Sequence, residues 1–296
     1  MVYKPHKIVR EKIMKKKENA IFWKVFLIEG SLFFITSILA IISAFKLNEL
    51  VIAQKMYLPT ISLQDFIFSF LLATFFVLLF ISYKKANEFR EIIFKGFFIT
   101  TVFWGGMTVL NLFLPTFGAI FVMGVLIFLW LEKPVVFIHD IIIILGLAGA
   151  SSFFGLGFSP AIVVAILVIF SFYDFIAVYK TKHMIKMAKE MIDKKVILGF
   201  IVPRDIKYFK DKLDKVKPGG NFFILGGGDV VFPNLLAVSV IPYGFLKALI
   251  IVIFSLAGSF LSYWLFIRQE EKEPIPALPP VALLSIIGYF ITLLIP

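Results

Sequence analysis

The sequence contains no cysteine and only three histidines, and both shortages restrict its chemistry. Without cysteine the chain has no disulfide, no thiolate nucleophile and no sulfur ligand for zinc or an iron–sulfur cluster. The histidines, His6, His139 and His183, are too widely scattered to suggest a histidine-based metal site. We therefore expect neither a metal ion nor any other cofactor.

Charged residues are also scarce: they make up 17% of the 296 residues, whereas 60% are hydrophobic. The mean hydropathy of +0.97 is far above that of a soluble domain of this length. Long hydrophobic runs dominate instead, and a membrane span needs about 20 such residues. The composition predicts an all-α, multi-pass membrane protein, with the lipid bilayer as its first partner.

The net charge of +11 is also found in proteins that bind nucleic acid, but no motif of that kind accompanies it. In a chain this apolar, lysine and arginine instead collect at the cytoplasmic membrane surface. We therefore expect no nucleic-acid partner, and we expect the protein in the cell membrane.

Apolar runs bounded by charged or turn-forming residues predict nine transmembrane helices. They cover residues 25–45, 65–82, 96–114, 116–131, 135–158, 160–179, 221–241, 244–266 and 276–295. The chain then divides into an N-terminal membrane part at 1–179, a basic cytoplasmic loop at 180–220 and a C-terminal membrane part at 221–296.

Basic residues are concentrated in alternate connections between these helices. Eight precede the first helix, four lie between the second and third, and twelve lie at 180–217. The positive-inside rule places all three segments in the cytoplasm. Nine spans then leave the N-terminus cytoplasmic and the C-terminus outside.

The loop at 180–220 contains two kinds of pattern. Met184, Met187, Met191 and Ile192 alternate with lysines and predict a basic amphipathic helix on the membrane surface. Residues 196–202 and 221–225 are too short to span and are rich in β-formers.

Two aspartates within predicted spans are the strongest candidates for function, because a carboxyl group is costly in hydrocarbon. Asp174 lies late in the sixth helix and Asp229 early in the seventh. Antiparallel packing brings both to similar depth in the cytoplasmic half. Two facing carboxyl groups share one proton. The ionised one then activates a water while the protonated one polarises a carbonyl, which predicts hydrolysis without a metal.

The backbone beside these acids is interrupted by glycine and proline. Gly226, Gly227 and Gly228 free the chain from ideal helix geometry before Asp229, and Pro233 cannot donate a helical hydrogen bond to the Asp229 carbonyl. Four prolines at 274–280 begin the ninth span. They either line a watery site or simply start a helix, and both interpretations stay open.

These residues resemble the presenilin and signal peptide peptidase family of intramembrane aspartyl proteases, and in particular its archaeal homologues. The resemblance rests on Tyr173-Asp174, on Gly226 to Asp229 matching the G-x-G-D motif, and on Pro276-Ala277-Leu278. Their order and their positions in helices six, seven and nine agree with the family, so the resemblance covers essentially the whole chain.

The resemblance implies that Asp174 and Asp229 are the catalytic aspartates. It implies that the site is shaped by Tyr173, Gly226, Gly227, Gly228, Pro276, Ala277 and Leu278. Gly227 replaces a leucine that is common in eukaryotic members, so a roomier catalytic loop is expected. Substrates would be transmembrane helices, including remnants of signal peptides, that unwind before cleavage. We expect residues 196–202 or 221–225 to bind the unwound segment as an added strand. Accessory subunits are not expected, and self-association stays open.

Two other functions fit the acids less well. A proton- or cation-coupled transporter or channel also uses intramembrane carboxylates and broken helices, but the sequence lacks inverted-repeat symmetry. A non-catalytic membrane scaffold leaves both aspartates unexplained.

Three further polar residues in predicted spans are expected to have lesser roles. His139 and Asp140 are interpreted as an interfacial polar pair, with a proton relay as the alternative. Glu29 is expected to pair with Lys24 or to extend toward the membrane surface.

Overall fold

A computed structural model provides the structure of the protein. It describes residues 5–55, 60–82, 87–181, 190–217, 220–269 and 274–295, with the backbone alone at 5–21, 77–82 and 87–91. The methionine-rich part of the predicted surface helix lies largely outside the described residues, and only its last turn, at 190–193, is included.

Nine α-helices of thirteen or more residues lie in the described ranges. They are α1 (Pro5–Ala53), α2 (Leu63–Ser82), α3 (Asn87–Leu110), α4 (Thr116–Glu132), α5 (Val136–Gly157), α6 (Pro160–Phe175), α7 (Gly227–Ser239), α8 (Phe245–Arg268) and α9 (Leu278–Leu293). Two strands, β1 (Gly199–Pro203) and β2 (Phe222–Gly226), form a small antiparallel sheet. Apolar segments of α1, α3, α5 and α8, and α6 together with the helical turn that continues it to Lys180, are long enough to cross a membrane, and the other four helices contribute shorter ones.

Several predicted helix boundaries differ from the structure, and in three helices the reason is local. Helix α1 continues on both sides of its apolar run, because a helix satisfies its own backbone in water as well as in lipid. The seventh span was predicted to start at residue 221, but residues 222–226 pair with β1 and α7 begins at Gly227. The ninth was predicted from residue 276, but α9 begins at Leu278, with prolines in its first turn.

Helix α5 lies at the centre of the bundle and contacts α1, α3 and α7. Its approach to α3 depends on glycine, because a Cβ on Gly105 or Gly149 would collide with backbone atoms of the facing helix. Small residues allow such close contacts, which supply van der Waals energy where water provides no hydrophobic driving force. The packing makes α5 a rigid support for the elements around it.

The sheet is fixed to α5 by two buried side chains. Asp140 Oδ1 accepts a hydrogen bond from the Ile201 N–H at 2.9 Å, and His139 Nε2 lies 3.1 Å from the Gly199 carbonyl. Trp130 donates its indole N–H to His139 Nδ1 at 3.3 Å, so the proton of a neutral imidazole lies on Nε2 and is donated to Gly199. Both residues are buried within the protein and hold β1, a structural role that the sequence did not predict, and the interfacial interpretation of the pair stays a prediction.

The connections between helices contact one another at both ends of the bundle. The connection between α6 and α7 touches α1 near the start of its apolar segment, through Lys24 and Asp205 at 3.2 Å. It also touches the start of α5 through the Val136 N–H and the Asp211 carbonyl. At the other end, the Ile61 N–H bonds to the Gly157 carbonyl, and Lys247 bonds to the carbonyl of Ile295. Each contact therefore joins connections separated by an even number of helices.

The Asp140 anchor predicts a local loss of order on mutation. In Asp140→Ala the buried Ile201 N–H loses its acceptor, which costs about 1–3 kcal/mol. We expect faster amide exchange at Ile201 and a lower melting temperature in detergent. Asp140→Asn keeps an acceptor oxygen and serves as the control. Unchanged exchange at Ile201 in the alanine variant would contradict the anchoring role.

Candidate active site

The two predicted acids lie at the ends of neighbouring helices. Asp174 is the second-last residue of α6, after which the backbone widens into a π-helical turn at Ile176–Lys180. Asp229 is in the first turn of α7. π-Helical turns are rare and often occur at functional sites. Asp174 is buried, whereas Asp229 is partly exposed, so the site has one open side.

An aromatic contact sets the relative depth of these helices. The rings of Phe170 on α6 and Phe232 on α7 pack with centroids 4.6 Å apart. Asp174 lies four residues after Phe170, while Asp229 lies three residues before Phe232. In the antiparallel arrangement that the sequence predicts for these helices, both acids fall on the same side of this contact, about one turn away. The structure thus brings the two carboxyl groups together, near enough to interact electrostatically.

The glycines preceding Asp229 bring backbone and carboxyl group close together. Gly226 is the N-cap of α7, and the Asp229 side chain reaches back toward its backbone. A Cβ on Gly226 would lie 2.9 Å from Asp229 Oδ2, so only glycine leaves the carboxyl group in place. Gly228 is exposed on the open side of the site.

Gly227 does not make the loop roomier, and that expectation was wrong. Its N–H donates to the Leu198 carbonyl at 3.0 Å and extends the sheet by one pair. A Cβ at this position would lie 2.9 Å from the Leu198 oxygen and 3.4 Å from Leu147 Cδ2. The space beside Gly227 is filled by Leu198 and Leu147.

The proline-rich segment closes the other side of Asp174. The backbone N–H of Leu278 donates to Asp174 Oδ2 at 3.2 Å, and Ser262 on α8 donates to the Ala277 carbonyl at 2.9 Å. Pro276 is buried beside them. Residues 274–277 are non-helical, whereas Pro279 and Pro280 lie in the first turn of α9. The helix-start interpretation therefore holds for these two prolines, and the lining of a watery site stays a prediction.

Tyr173 has a more peripheral position than the other predicted residues. Its side chain is 40% exposed, and its ring contacts Phe70 and Phe170. It directly precedes Asp174 in the sequence, but no described hydrogen bond joins it to Asp174 or Asp229.

Glu29 does not pair with Lys24 and does not extend to the surface, so this expectation was wrong. It is buried and accepts a hydrogen bond from Ser259 at 2.9 Å. Lys24 instead binds Asp205. The Lys207 N–H and then the Lys24 ammonium lower the pKa of Asp205, a surface carboxyl group at the start of a 3₁₀ turn. Lys24 is thereby directed to the connection between α6 and α7, away from Glu29.

Sequence reasoning missed the serines that hold this site. Ser259 binds Glu29, Ser262 binds Ala277, and Ser255 binds Ser285 on α9. Their spacing of four and three residues along α8 was the available signal, because it places polar groups on one helical face.

Comparison with known proteins identifies the family. Residues 30–296 match the family described as signal-peptide peptidase, presenilin aspartyl protease. The chain belongs to this family. It is therefore an intramembrane aspartyl protease, a hydrolase of membrane-embedded peptide bonds, and the transporter interpretation is not favoured.

Two solved structures are similar to the chain, both of a presenilin family intramembrane aspartate protease. In the C222 crystal form the TM-score is 0.64 at 21% identity, covering 92% of this protease and 99% of the solved chain. In the P2 form the TM-score is 0.58 at 21% identity, covering 90% and 96%. This likeness concerns the fold. No curated protein matches the sequence.

The close approach at Gly226 predicts a selective defect. In Gly226→Ala the new methyl group displaces the Asp229 carboxyl group, and we expect cleavage of a transmembrane peptide to fall at least about tenfold. Gly124→Ala is the matched control, because a Cβ at Gly124 meets nothing within 4 Å. Equal cleavage rates in both variants, measured by mass spectrometry, would contradict the packing argument.

Proposed function

We propose that Asp174 and Asp229 are the catalytic pair of this protease. The observation that carries the proposal is the meeting of α6 and α7 at the Phe170–Phe232 contact, with an acid on the same side of it in each helix. The partly exposed Asp229 leaves access for water and substrate. Asp174 is steadied by the amide of Leu278.

In the proposed reaction one carboxylate removes a proton from water while the other, protonated, donates a hydrogen bond to the scissile carbonyl. Hydroxide adds to the carbonyl carbon and gives a tetrahedral intermediate. The carboxyl groups then exchange roles: the newly protonated one gives its proton to the leaving nitrogen as the C–N bond breaks. Oxygen, hydrogen and charge balance without a further reactant.

The remaining site residues are assigned to positioning. Gly226, Gly227 and Gly228 let the backbone approach Asp229 and β1. Leu278 and Ala277 present main-chain groups to Asp174 and Ser262, respectively, and the buried Pro276 directly precedes them. Tyr173 lines the rim next to Asp174, where its exposed ring is available to a substrate side chain.

The substrates we propose are single transmembrane helices that unwind at the cleavage point, since helical hydrogen bonds shield the carbonyl that water must attack. An unwound segment in a membrane needs new partners for its backbone groups. The free edge of a β-sheet supplies them in the required spacing.

The edge of β2 is the better docking edge. Along an antiparallel pair, successive residues direct their backbone N–H and C=O groups alternately toward the partner strand and away from it. The hydrogen bonds at Gly227–Leu198 and Arg204–Asn221 show which residues of β2 face β1. Phe222 and Ile224 therefore direct their backbone groups away from β1. The outer edge of β1 is already used by His139 and Asp140. Because β2 runs directly into Gly226 and Asp229, a strand bound along it is led to the acids.

We also propose that all nine helices span the membrane, with a cytoplasmic N-terminus and an outer C-terminus. The twelve basic residues at 180–217 support the cytoplasmic side. The contacts between connections support helices that cross the membrane in alternating directions, because each contact joins connections that nine spans place on the same side. Helix α7 has 13 residues, about 20 Å, so β2 completes that span.

The remaining proposals concern location and partners. We place the protease in the cell membrane, acting without accessory subunits, since the described site is assembled from helices of one chain. Remnants of signal peptides are among the proposed substrates.

Removing either acid tests the catalytic assignment. In Asp174→Asn and Asp229→Asn the pair can no longer share a proton, so cleavage should fall by about 10²–10⁴-fold. Asp193→Asn, an exposed acid replaced in the same way, should retain full activity. The measurement is mass spectrometry of products from a transmembrane peptide with purified protein. Normal turnover in either active-site variant would overturn the assignment.

Proline substitution tests the docking edge. Ile224→Pro removes an N–H that β1 does not use, and edge strands accept proline at such positions. We therefore expect normal stability but cleavage reduced at least about tenfold. Ile224→Val keeps the amide and should cleave normally, whereas Phe223→Pro breaks the sheet itself and should lower stability. Normal cleavage by Ile224→Pro would eliminate strand addition along β2.

A further inference from the structure

One peptide unit connects a buried serine to a proposed catalytic acid. The Ala277–Leu278 peptide joins the N-cap of α9 to its first helical residue. Its carbonyl accepts a hydrogen bond from the Ser262 hydroxyl on α8 at 2.9 Å, and its N–H donates to Asp174 Oδ2 on α6 at 3.2 Å. Because a peptide unit is planar, the direction of its carbonyl fixes the direction of its N–H. Ser262 therefore sets the direction in which the Leu278 N–H points.

Leu278 carries the hydrogen-bonding capacity at the start of α9. A helix leaves its first backbone N–H groups without partners inside the helix, and these groups attract negative charge. In α9 the second and third residues are Pro279 and Pro280, which have no N–H. The N-cap residue, Ala277, has no polar side chain that could cap the helix. The Leu278 N–H is thus the single donor in the first three positions of α9, and Asp174 receives it.

The contacts between α8 and α9 set the depth at which this peptide lies. Ser255 and Ser285 share a hydrogen bond at 2.8 Å, two turns before Ser262 along α8. Between these two serines of α8, a Cβ on Gly258 would lie 2.9 Å from the Pro280 oxygen, so glycine lets the two backbones approach this closely. These contacts follow one face of α8 toward the acids, and the bond from Ser262 is the last of them.

The Ser262 hydroxyl has a second acceptor within reach. It lies 3.1 Å from the Gly258 carbonyl of its own helix, a type of bond that serines in helices often make. A hydroxyl has only one proton to donate, and the shorter contact is the one to Ala277. The bond to Ala277 is what distinguishes Ser262 from a serine that bonds only to its own helix.

We propose that Ser262 is a positioning residue of the protease, which orients Asp174 through the Ala277–Leu278 peptide. The inference rests on the proposed function of Asp174 and Asp229. With its carbonyl bonded to Ser262, the peptide is polarised and donates its N–H more strongly to the carboxyl group. This donation holds Asp174 Oδ2 and leaves Oδ1 for the reaction. Without the serine hydroxyl the peptide can turn, and Asp174 loses the partner that keeps its side chain in one orientation.

The first measurement compares kcat and KM for cleavage of a transmembrane peptide. In Ser262→Ala we expect kcat to fall about 3–10-fold, as the loss of one hydrogen bond predicts, with KM unchanged because Ser262 acts through the peptide and not on the substrate. Ser262→Thr keeps a hydroxyl and should retain kcat. The matched control is Ser37→Ala, since Ser37 is also buried and its described hydrogen bond goes to the Phe33 carbonyl of its own helix. This control should retain full kcat.

The second measurement follows the Leu278 amide itself by nuclear magnetic resonance in detergent. Carbon-13 at alanine carbonyls and nitrogen-15 in leucine select Ala–Leu peptides, of which the sequence has three, at 248–249, 277–278 and 282–283. The Leu278 signal is the one that disappears in Ala277→Gly. In Ser262→Ala we expect its proton to move upfield, because the hydrogen bond to Asp174 weakens. In Ser37→Ala it should stay in place.

Three results would overturn the inference. The first is a normal kcat in Ser262→Ala. The second is a lower kcat with an unmoved Leu278 signal, because the hydroxyl would then act by another route. The third is an equal loss of kcat and of melting temperature in Ser262→Ala and Ser37→Ala, which would show a general effect on packing. Should Ser262→Ala not fold, Ser262→Cys provides the test, because a thiol fills similar space but donates weakly; a normal kcat there also overturns the inference.

The aspartate variants separate this inference from the proposed function. If Asp174→Asn and Asp229→Asn are inactive while Ser262→Ala cleaves normally, only the role of Ser262 is overturned. If the aspartate variants stay active, the catalytic assignment itself fails, whatever the Leu278 signal does in Ser262→Ala.

Discussion

The structure depends on hydrogen-bond partners for the backbone where helices are interrupted inside an apolar bundle. A carboxyl group in a membrane needs polar partners, yet a regular helix offers none because its amides and carbonyls are bonded to one another. Here α6 ends, α7 begins and α9 begins in one region, and these ends supply what the acids require. Gly226 leaves room for the Asp229 carboxyl group beside its backbone, and the Leu278 N–H donates to Asp174. The position of the acids therefore follows from where the helices are interrupted.

Each interruption is itself supported by a neighbouring element. The strand that replaces the start of the seventh helix is paired with β1, and β1 is held by Asp140 and His139 of the rigid helix α5. The extended segment before α9 is held by Ser262 of α8. Polar side chains on continuous helices thus compensate for the irregular backbone of their neighbours, in agreement with the requirement that such backbone be covered by protein.

The same arrangement connects protease chemistry to substrate handling. Bundle helices α1, α5 and α8 carry the supporting residues, whereas α6, α7 and α9 carry the interrupted ends that form the site. One edge of the sheet is bonded to α5, and in the described part of the chain no strand pairs with the other edge, which leads into Asp229. The order of β2, glycine run and acid along the chain places the proposed docking edge next to the proposed catalytic pair.

The sequence by itself determined the helix-rich membrane architecture, the family and the two candidate acids, because hydrophobic runs, glycine–proline breaks and intramembrane carboxyl groups are local signals. It did not determine contacts between distant segments. Glu29 was assigned to Lys24, five residues away, whereas the fold offers it Ser259 from 230 positions along the chain. The space beside Gly227 is filled by Leu198, and His139 and Asp140 bind a strand about 60 residues distant. Only the tertiary structure decided these partners, because a buried polar group bonds to whatever packing brings within about 3 Å, and separation along the chain says nothing about that distance.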